Sequence, residues 1–133
     1  MQSTNTIKLL VIDDDDINIF IIGKIVEKTG FPVDMVAKHN GQLAIDYIKD
    51  LVANQQDLPQ LILIDINMPI LNGWEFIEAY EALQLNSSSD LYMLSSSVYE
   101  NDIEKAKTYT SVKGFISKPL SIDRLKELLS EIR

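Results

Sequence analysis

The sequence has no cysteine, a single histidine and a single tryptophan in 133 residues, and these gaps exclude a good deal. Without cysteine there is neither a disulfide framework nor a thiolate metal site. Positive charge is also scarce: 12 Lys and Arg stand against 20 Asp and Glu, a formal net charge of -8. That balance argues against nucleic acid or an anionic membrane as the main partner. Long apolar runs are missing too. Leu9 to Ile12 and Leu61 to Ile64 fall far short of the roughly 20 residues a membrane-spanning helix needs. Met1 to Thr6 has no basic segment leading an apolar stretch, so no export signal is read there. A cytoplasmic protein without membrane insertion is expected.

What is present is ample apolar material, 46% of the chain. A chain of this length fits one domain, and such a domain buries roughly two thirds of its unfolded surface. Three runs rich in Ile, Leu and Val stop abruptly at acid or hydroxyl residues: Ile7 to Ile12 before Asp13, Leu61 to Ile64 before Asp65, and Leu91 to Leu94 before Ser95. Consecutive apolar positions suit strands covered on both faces. Val33 to Ala37 and Gly114 to Ile116 are weaker strand candidates.

Between these runs the apolar spacing turns helical: Ile17, Phe20, Ile21 and Ile25; Ala44, Tyr47, Ile48 and Leu51; Phe76, Ile77, Tyr80 and Leu83; Ile122, Leu125, Leu128, Leu129 and Ile132. Each set is expected to bury one stripe against a sheet. Asn101 to Thr108 offers only Ile103 and Ala106, so a loosely packed helix and a candidate moving part are expected there. Turn and cap chemistry at Gly30 with Pro32, Asn40 with Gly41, Ala53 to Gln60, Asn72 with Gly73, and Asn86 to Asp90 separates the elements. Asp15 and Asp16 suit a helix start, and Ser121 suits the cap of the last helix. The alternation of five strands and five helices implies an α/β, doubly wound five-stranded parallel sheet of order 2-1-3-4-5. Ligands in this arrangement bind at the carboxyl ends of the strands, where strand order reverses.

That rule brings together Asp13 and Asp14, Asp65, Ser95 and Lys118, each at or just beyond a strand end. Carboxylates about 4 Å apart repel by about 4 kcal/mol at an effective dielectric near 20, so the acids need a cation. Mg2+ accepts oxygen ligands from one or two carboxylates and keeps several waters. Asp14 and Asp65 are expected as direct ligands with the backbone carbonyl of Asn67, and Asp13 is expected to act through metal-bound water. A carboxylate oxygen of Asp65 could then attack phosphorus, with Lys118 and the Ser95 hydroxyl meeting phosphoryl oxygens.

The motifs VIDDDDIN at 11 to 18, LILIDINMPILNGWEFI at 61 to 77, MLSSSV at 93 to 98 and GFISKPL at 114 to 120 together resemble the receiver domain of two-component response regulators. The resemblance covers nearly the whole chain. It implies a flavodoxin-like (CheY-like) fold and a single receiver domain over residues 1–133 with no output domain. It also implies a phosphoacceptor at Asp65, metal binding by Asp13 and Asp14, and phosphoryl pairing by Lys118. The switch hydroxyl falls at Ser95, chosen over Ser96 and Ser97 because it directly follows the apolar run, and the switch aromatic at Phe115. Lys-Pro peptides at this place are commonly cis, which leaves both isomers open for Lys118–Pro119. The implied partners are a sensor histidine kinase or a histidine phosphotransfer protein, and a downstream protein bound through the surface of the fourth helix, fifth strand and fifth helix. The segment Tyr109 to Lys113 is slightly longer than the tight turn usual there.

Ordinary readings compete. Asp13 to Asp16 alone suits a solvated helix start, and Ser95 a strand-end hydroxyl bonded to a nearby amide. Phe115 suits a buried strand aromatic, His39 a solvated loop, Trp74 core or rim, and Ser87 to Ser89 plain loop. An aspartyl-phosphate phosphohydrolase needs a second acid two residues after its nucleophile, where this chain has Asn67. A nucleotide or flavin binder needs a phosphate cradle after the first strand, where Asp13 to Asp16 repel one. The chain is thus expected to be a signalling phosphoacceptor rather than an enzyme acting on a separate substrate. A pseudo-receiver would lack an acid or the lysine, and neither is lost.

Overall fold

The computed structural model describes residues 6–66, 72–85, 89–95 and 100–132. The elements alternate strictly along the chain: β1 (Ile7–Ile12), α1 (Asp16–Thr29), β2 (Val33–Lys38), α2 (Gly41–Ala53), β3 (Leu61–Asp65), α3 (Gly73–Ala82), β4 (Asp90–Ser95), α4 (Glu100–Ala106), β5 (Val112–Ser117) and α5 (Ile122–Ile132). The five strands form one parallel sheet of order β2-β1-β3-β4-β5. This is the expected architecture, with β2 and β5 each longer than their apolar runs implied.

Strand side chains alternate between two cores. Leu10, Ile12, Ile62, Ile64, Leu91 and Met93 join Ile48, Phe76, Ile77 and Ala106, so α2, α3 and α4 cover one face. Leu9, Val11, Leu61, Leu63, Tyr92 and Leu94 join Ile22, Val26, Leu125, Leu128 and Leu129, so α1 and α5 cover the other. Burial on both faces explains why Leu9 to Ile12 of β1 and Leu61 to Ile64 of β3 read as unbroken apolar runs rather than alternating ones.

Caps fall where side-chain chemistry placed them. The Asp15 carboxylate accepts from the Ile17 amide at 2.9 Å, and Ser121 Oγ accepts from the Arg124 amide at 3.0 Å. Asn72 and Glu75 form a reciprocal box, each side chain accepting the other's backbone N–H, at 3.0 and 2.9 Å. Gly30 ends α1 at φ 77°, a left-handed conformation that glycine adopts without steric penalty. The Lys118–Pro119 bond is cis.

Helix α1 departs from expectation. Ile17, Phe20 and Ile21 are 71%, 64% and 44% exposed, while Ile22, Val26 and Thr29 are buried and Ile19 and Ile25 pack beside them. The first half of α1 is apolar on nearly every side, so spacing alone leaves its rotation open. In the observed rotation Lys24, Glu27 and Lys28 fall on the solvent side with Ile17, Phe20 and Ile21. Residues 18, 22, 26 and 29 share the inward face, where the Asn18 carboxamide donates to Asp13 at the strand end.

Two minor readings also change. His39 is not merely solvated, since Nε2 contacts the Asp16 carboxylate and joins the loop after β2 to the start of α1. Ser89 is more than loop: it is buried, donates its hydroxyl to the Pro59 carbonyl and gives its amide to the Tyr80 hydroxyl at 3.1 Å. Ser87, by contrast, lies outside the described residues. In α2, Ile45 is buried in place of Tyr47, which stays half-buried under the Lys38 ammonium.

Candidate functional site: an acidic cluster closed by a lysine

Register places the acids. Ile12 pairs with Ile64 across β1 and β3, so the next residues, Asp13 and Asp65, emerge side by side. Asp13 is wholly buried and Asp65 is 7% exposed, while Asp14 faces solvent. One carboxylate oxygen from each of Asp13, Asp14 and Asp65 lies within 4.8 Å of the others.

Lys118 closes the cluster from β5. Its ammonium is 3.3 Å from Asp13 Oδ2 and 3.5 Å from Asp65 Oδ2, and its side chain is only 19% exposed. The Lys118 amide donates to the Ser95 carbonyl at 2.8 Å, tying the end of β5 to that of β4. Partial burial strengthens this bridge relative to a surface pair, because fewer waters screen it. The remaining valences of Asp13 are used locally: Oδ1 accepts from the Asp15 amide at 2.9 Å, and Oδ2 accepts from Asn18.

Ser95 is the last residue of β4, pairs with Ser117 and is buried. It stands one strand over from Asp65, which pairs with Leu94. Phe115 pairs with Met93 and packs, partly buried, against the core under α3 and α4. Thus Asp13, Asp14, Asp65 and Lys118 are brought together, Ser95 lies on the adjoining strand end, and Phe115 sits further back along β5. Asn67, Ser96 and Ser97 lie outside the described residues.

Gly73 backs the end of β3. A Cβ there would meet the Asp65 carbonyl oxygen at 3.0 Å and Ile66 Cα at 2.9 Å, and both are backbone atoms with little room to move. The close approach also lets the Gly73 amide donate to the Ile66 carbonyl at 3.0 Å. In the sequence this glycine reads as turn chemistry and as part of the motif at 61 to 77, and neither reading contains the close backbone approach.

Trp74 lies on the rim of the core. Its ring stacks on Tyr109 with centroids 6.1 Å apart, and the Lys105 ammonium sits 4.7 Å above it. Tyr109 Oη donates to Glu78 at 2.8 Å. That bond, followed by burial and the charges of Glu78 and Glu81, raises the phenol above its ordinary value. Ser111 adds hydrogen bonds to Glu81 at 2.6 and 3.1 Å, so the longer segment before β5 is fastened to α3.

With this geometry in hand, comparison with known proteins decides the family. The family described as "Response regulator receiver domain" matches residues 9–130. The chain belongs to that family. A crystal structure of a two-component response regulator from Cytophaga hutchinsonii is 34% identical, with a TM-score of 0.83 over 94% of this chain and 95% of that one. The probable methanogenesis regulatory protein FilR2 of Methanothrix harundinacea is 23% identical over all of this chain and 85% of its own length. Some relatives are far longer: the chain spans 10% of the osmosensing histidine protein kinase SLN1 of Saccharomyces cerevisiae, at 24% identity. As a receiver domain, the chain is a phosphoacceptor of two-component signalling. No helix among the described residues is long and apolar enough to cross a membrane.

Proposed function

We propose that the phosphoryl group is accepted on Asp65, delivered from a phosphohistidine of a sensor histidine kinase or a histidine phosphotransfer protein, in the cytoplasm. The observation that carries this reading is the three-carboxylate cluster with one ammonium bridging Asp13 and Asp65. Such a donor set is all oxygen and strongly anionic, which fits a hard dication of the Mg2+ class. Asp14 and Asp65 would hold it directly with the carbonyl of Asn67, and Asp13 would act through a bound water. When bound, the ion offsets the repulsion between the Asp65 carboxylate and the incoming phosphoryl oxygens.

An Asp65 carboxylate oxygen attacks phosphorus in line, the bond from phosphorus to the histidine nitrogen breaks, and the imidazole leaves with that electron pair. Lys118 turns from the carboxylates to a phosphoryl oxygen, and the Ser95 hydroxyl donates to another. Drawing Ser95 toward the acceptor frees Phe115 to repack and biases the α4-β5-α5 surface toward a downstream protein, as a shift between two populated states. The same site turns over slowly by attack of water on the acyl phosphate. The exposed Ile17, Phe20 and Ile21 lie just beyond the acids on α1 and give a donor protein apolar ground beside the site.

The test is incubation with a small phosphodonor and Mg2+. The expected outcome is one acid-stable, base-labile phosphoryl group per chain, absent in Asp65→Asn and absent when the metal is chelated. A stoichiometry near zero in the unaltered chain would favour a binding-only pseudo-receiver.

A further inference from the structure

We infer that Asn18 is a positioning residue for phosphoryl transfer, holding the buried Asp13 carboxylate so that Lys118 is able to leave it. The inference rests on the reading of Asp65 as acceptor and of Lys118 as the cation for the phosphoryl group. Asp13 is 0% exposed. Among the described residues its carboxylate takes three donors: the Asp15 amide on Oδ1, and the Asn18 carboxamide and Lys118 ammonium together on Oδ2.

Of the three, Lys118 is the one that bridges to the acceptor by an ion pair, at 3.5 Å from Asp65 Oδ2. When its ammonium turns to a phosphoryl oxygen, Asp13, which would reach a dication only through water, loses its direct ion pair while still enclosed. A buried carboxylate stripped of a partner is strongly unfavourable unless other donors remain. Asn18 is the side-chain donor that stays. Its helix face continues through Ile22, Val26 and Thr29, all packed on the core, so it is anchored by α1.

The residue type fits the task. A carboxamide donates without charge, whereas Lys or Arg would fix Asp13 too firmly and repel both Lys118 and a bound dication. Asp would add a fourth negative group and offer no donor.

Asn18→Leu keeps the branched shape and the number of side-chain heavy atoms and removes the donor. Phosphorylation by acetyl phosphate at saturating Mg2+ is expected to slow about tenfold in Asn18→Leu, but less than about twofold when the same change is made in Lys118→Ala, because one residue acts through the other. Multiplying effects, meaning the same fold loss in both backgrounds, would overturn the inference. A second measurement needs no variant to stay folded. In nuclear magnetic resonance of the unaltered protein, the Asn18 carboxamide should hold its hydrogen-bonded shift when Mg2+ and beryllium fluoride occupy the acceptor. A move to the free-amide position would show that the bond breaks with the lysine's departure and would refute the role. Absence of phosphorylation in the unaltered chain sinks the Asp65 reading and this inference with it, while phosphorylation combined with multiplying effects sinks only the inference.

Discussion

Helices α4 and α5 lie on opposite sides of the same strand, β5, and are packed very differently. Helix α5 buries Leu125, Leu128 and Leu129 almost completely, each contributing roughly 1.5–3 kcal/mol of apolar burial. Helix α4 is only 7 residues long, and Ala106 is its one buried side chain among those described. A half-open groove of about 310 Å³ runs between it and β5, lined by Ile103, Ala106, Val112 and Phe115 together with Lys107 and Lys113. The expected switch aromatic, Phe115, faces the loosely packed side. On the proposed reading, phosphorylation of Asp65 would reposition an element with little burial to lose, while α5 would hold the sheet still.

The largest effect that tests this contrast is on stability. Leu128→Ala should cost about 2–5 kcal/mol in urea unfolding, as truncation of a fully buried leucine does. Hydrogen exchange should separate the two helices by roughly 2 kcal/mol or more, with α4 amides exchanging through local opening and α5 amides only through global unfolding. Equal protection of the two helices would remove the basis for calling α4 the mover. Ile103→Ala should cost less than about 1 kcal/mol, since that side chain already borders an open groove and is only partly buried. A loss as large as that of Leu128→Ala would mean α4 is held as firmly as α5.

The smallest effect concerns the clasp between α3 and the segment before β5. The folded state holds the Tyr109 proton more tightly than the unfolded chain, because Glu78 accepts from the phenol. That contribution is complete below the ordinary phenol value of about 10 and is lost as pH rises through the folded one. Tyr109→Phe should therefore flatten the decline of stability above pH about 10, read by unfolding at several alkaline pH values. An unchanged slope would mean the clasp adds nothing.

Much of this architecture is legible in the sequence because strands buried on both faces leave apolar runs, and those runs stop at the residues of the candidate site. Asp13, Asp65 and Lys118 are found that way, since topology alone converts strand ends into neighbours. The rotation of α1 is not legible from its first half, where Ile17, Phe20 and Ile21 are as apolar as the residues that are buried, and the contact of Asn18 with Asp13 appears only in three dimensions. Contacts between distant segments leave no periodic trace either. Ser89 with Pro59 and Tyr80, His39 with Asp16, and Tyr109 with Trp74 and Glu78 depend on where the helices come to rest. Gly73 reads as turn chemistry from sequence, but its close approach to the Asp65 backbone appears only in three dimensions.

The most direct test is to find which residue carries the phosphoryl group, by reducing the phosphorylated chain with borohydride and sequencing its peptides by mass spectrometry. The account predicts that the aspartyl phosphate is converted to homoserine at position 65 alone, and only when Mg2+ was present during labelling. Conversion at position 13 or 14, or at position 65 regardless of metal, would contradict it.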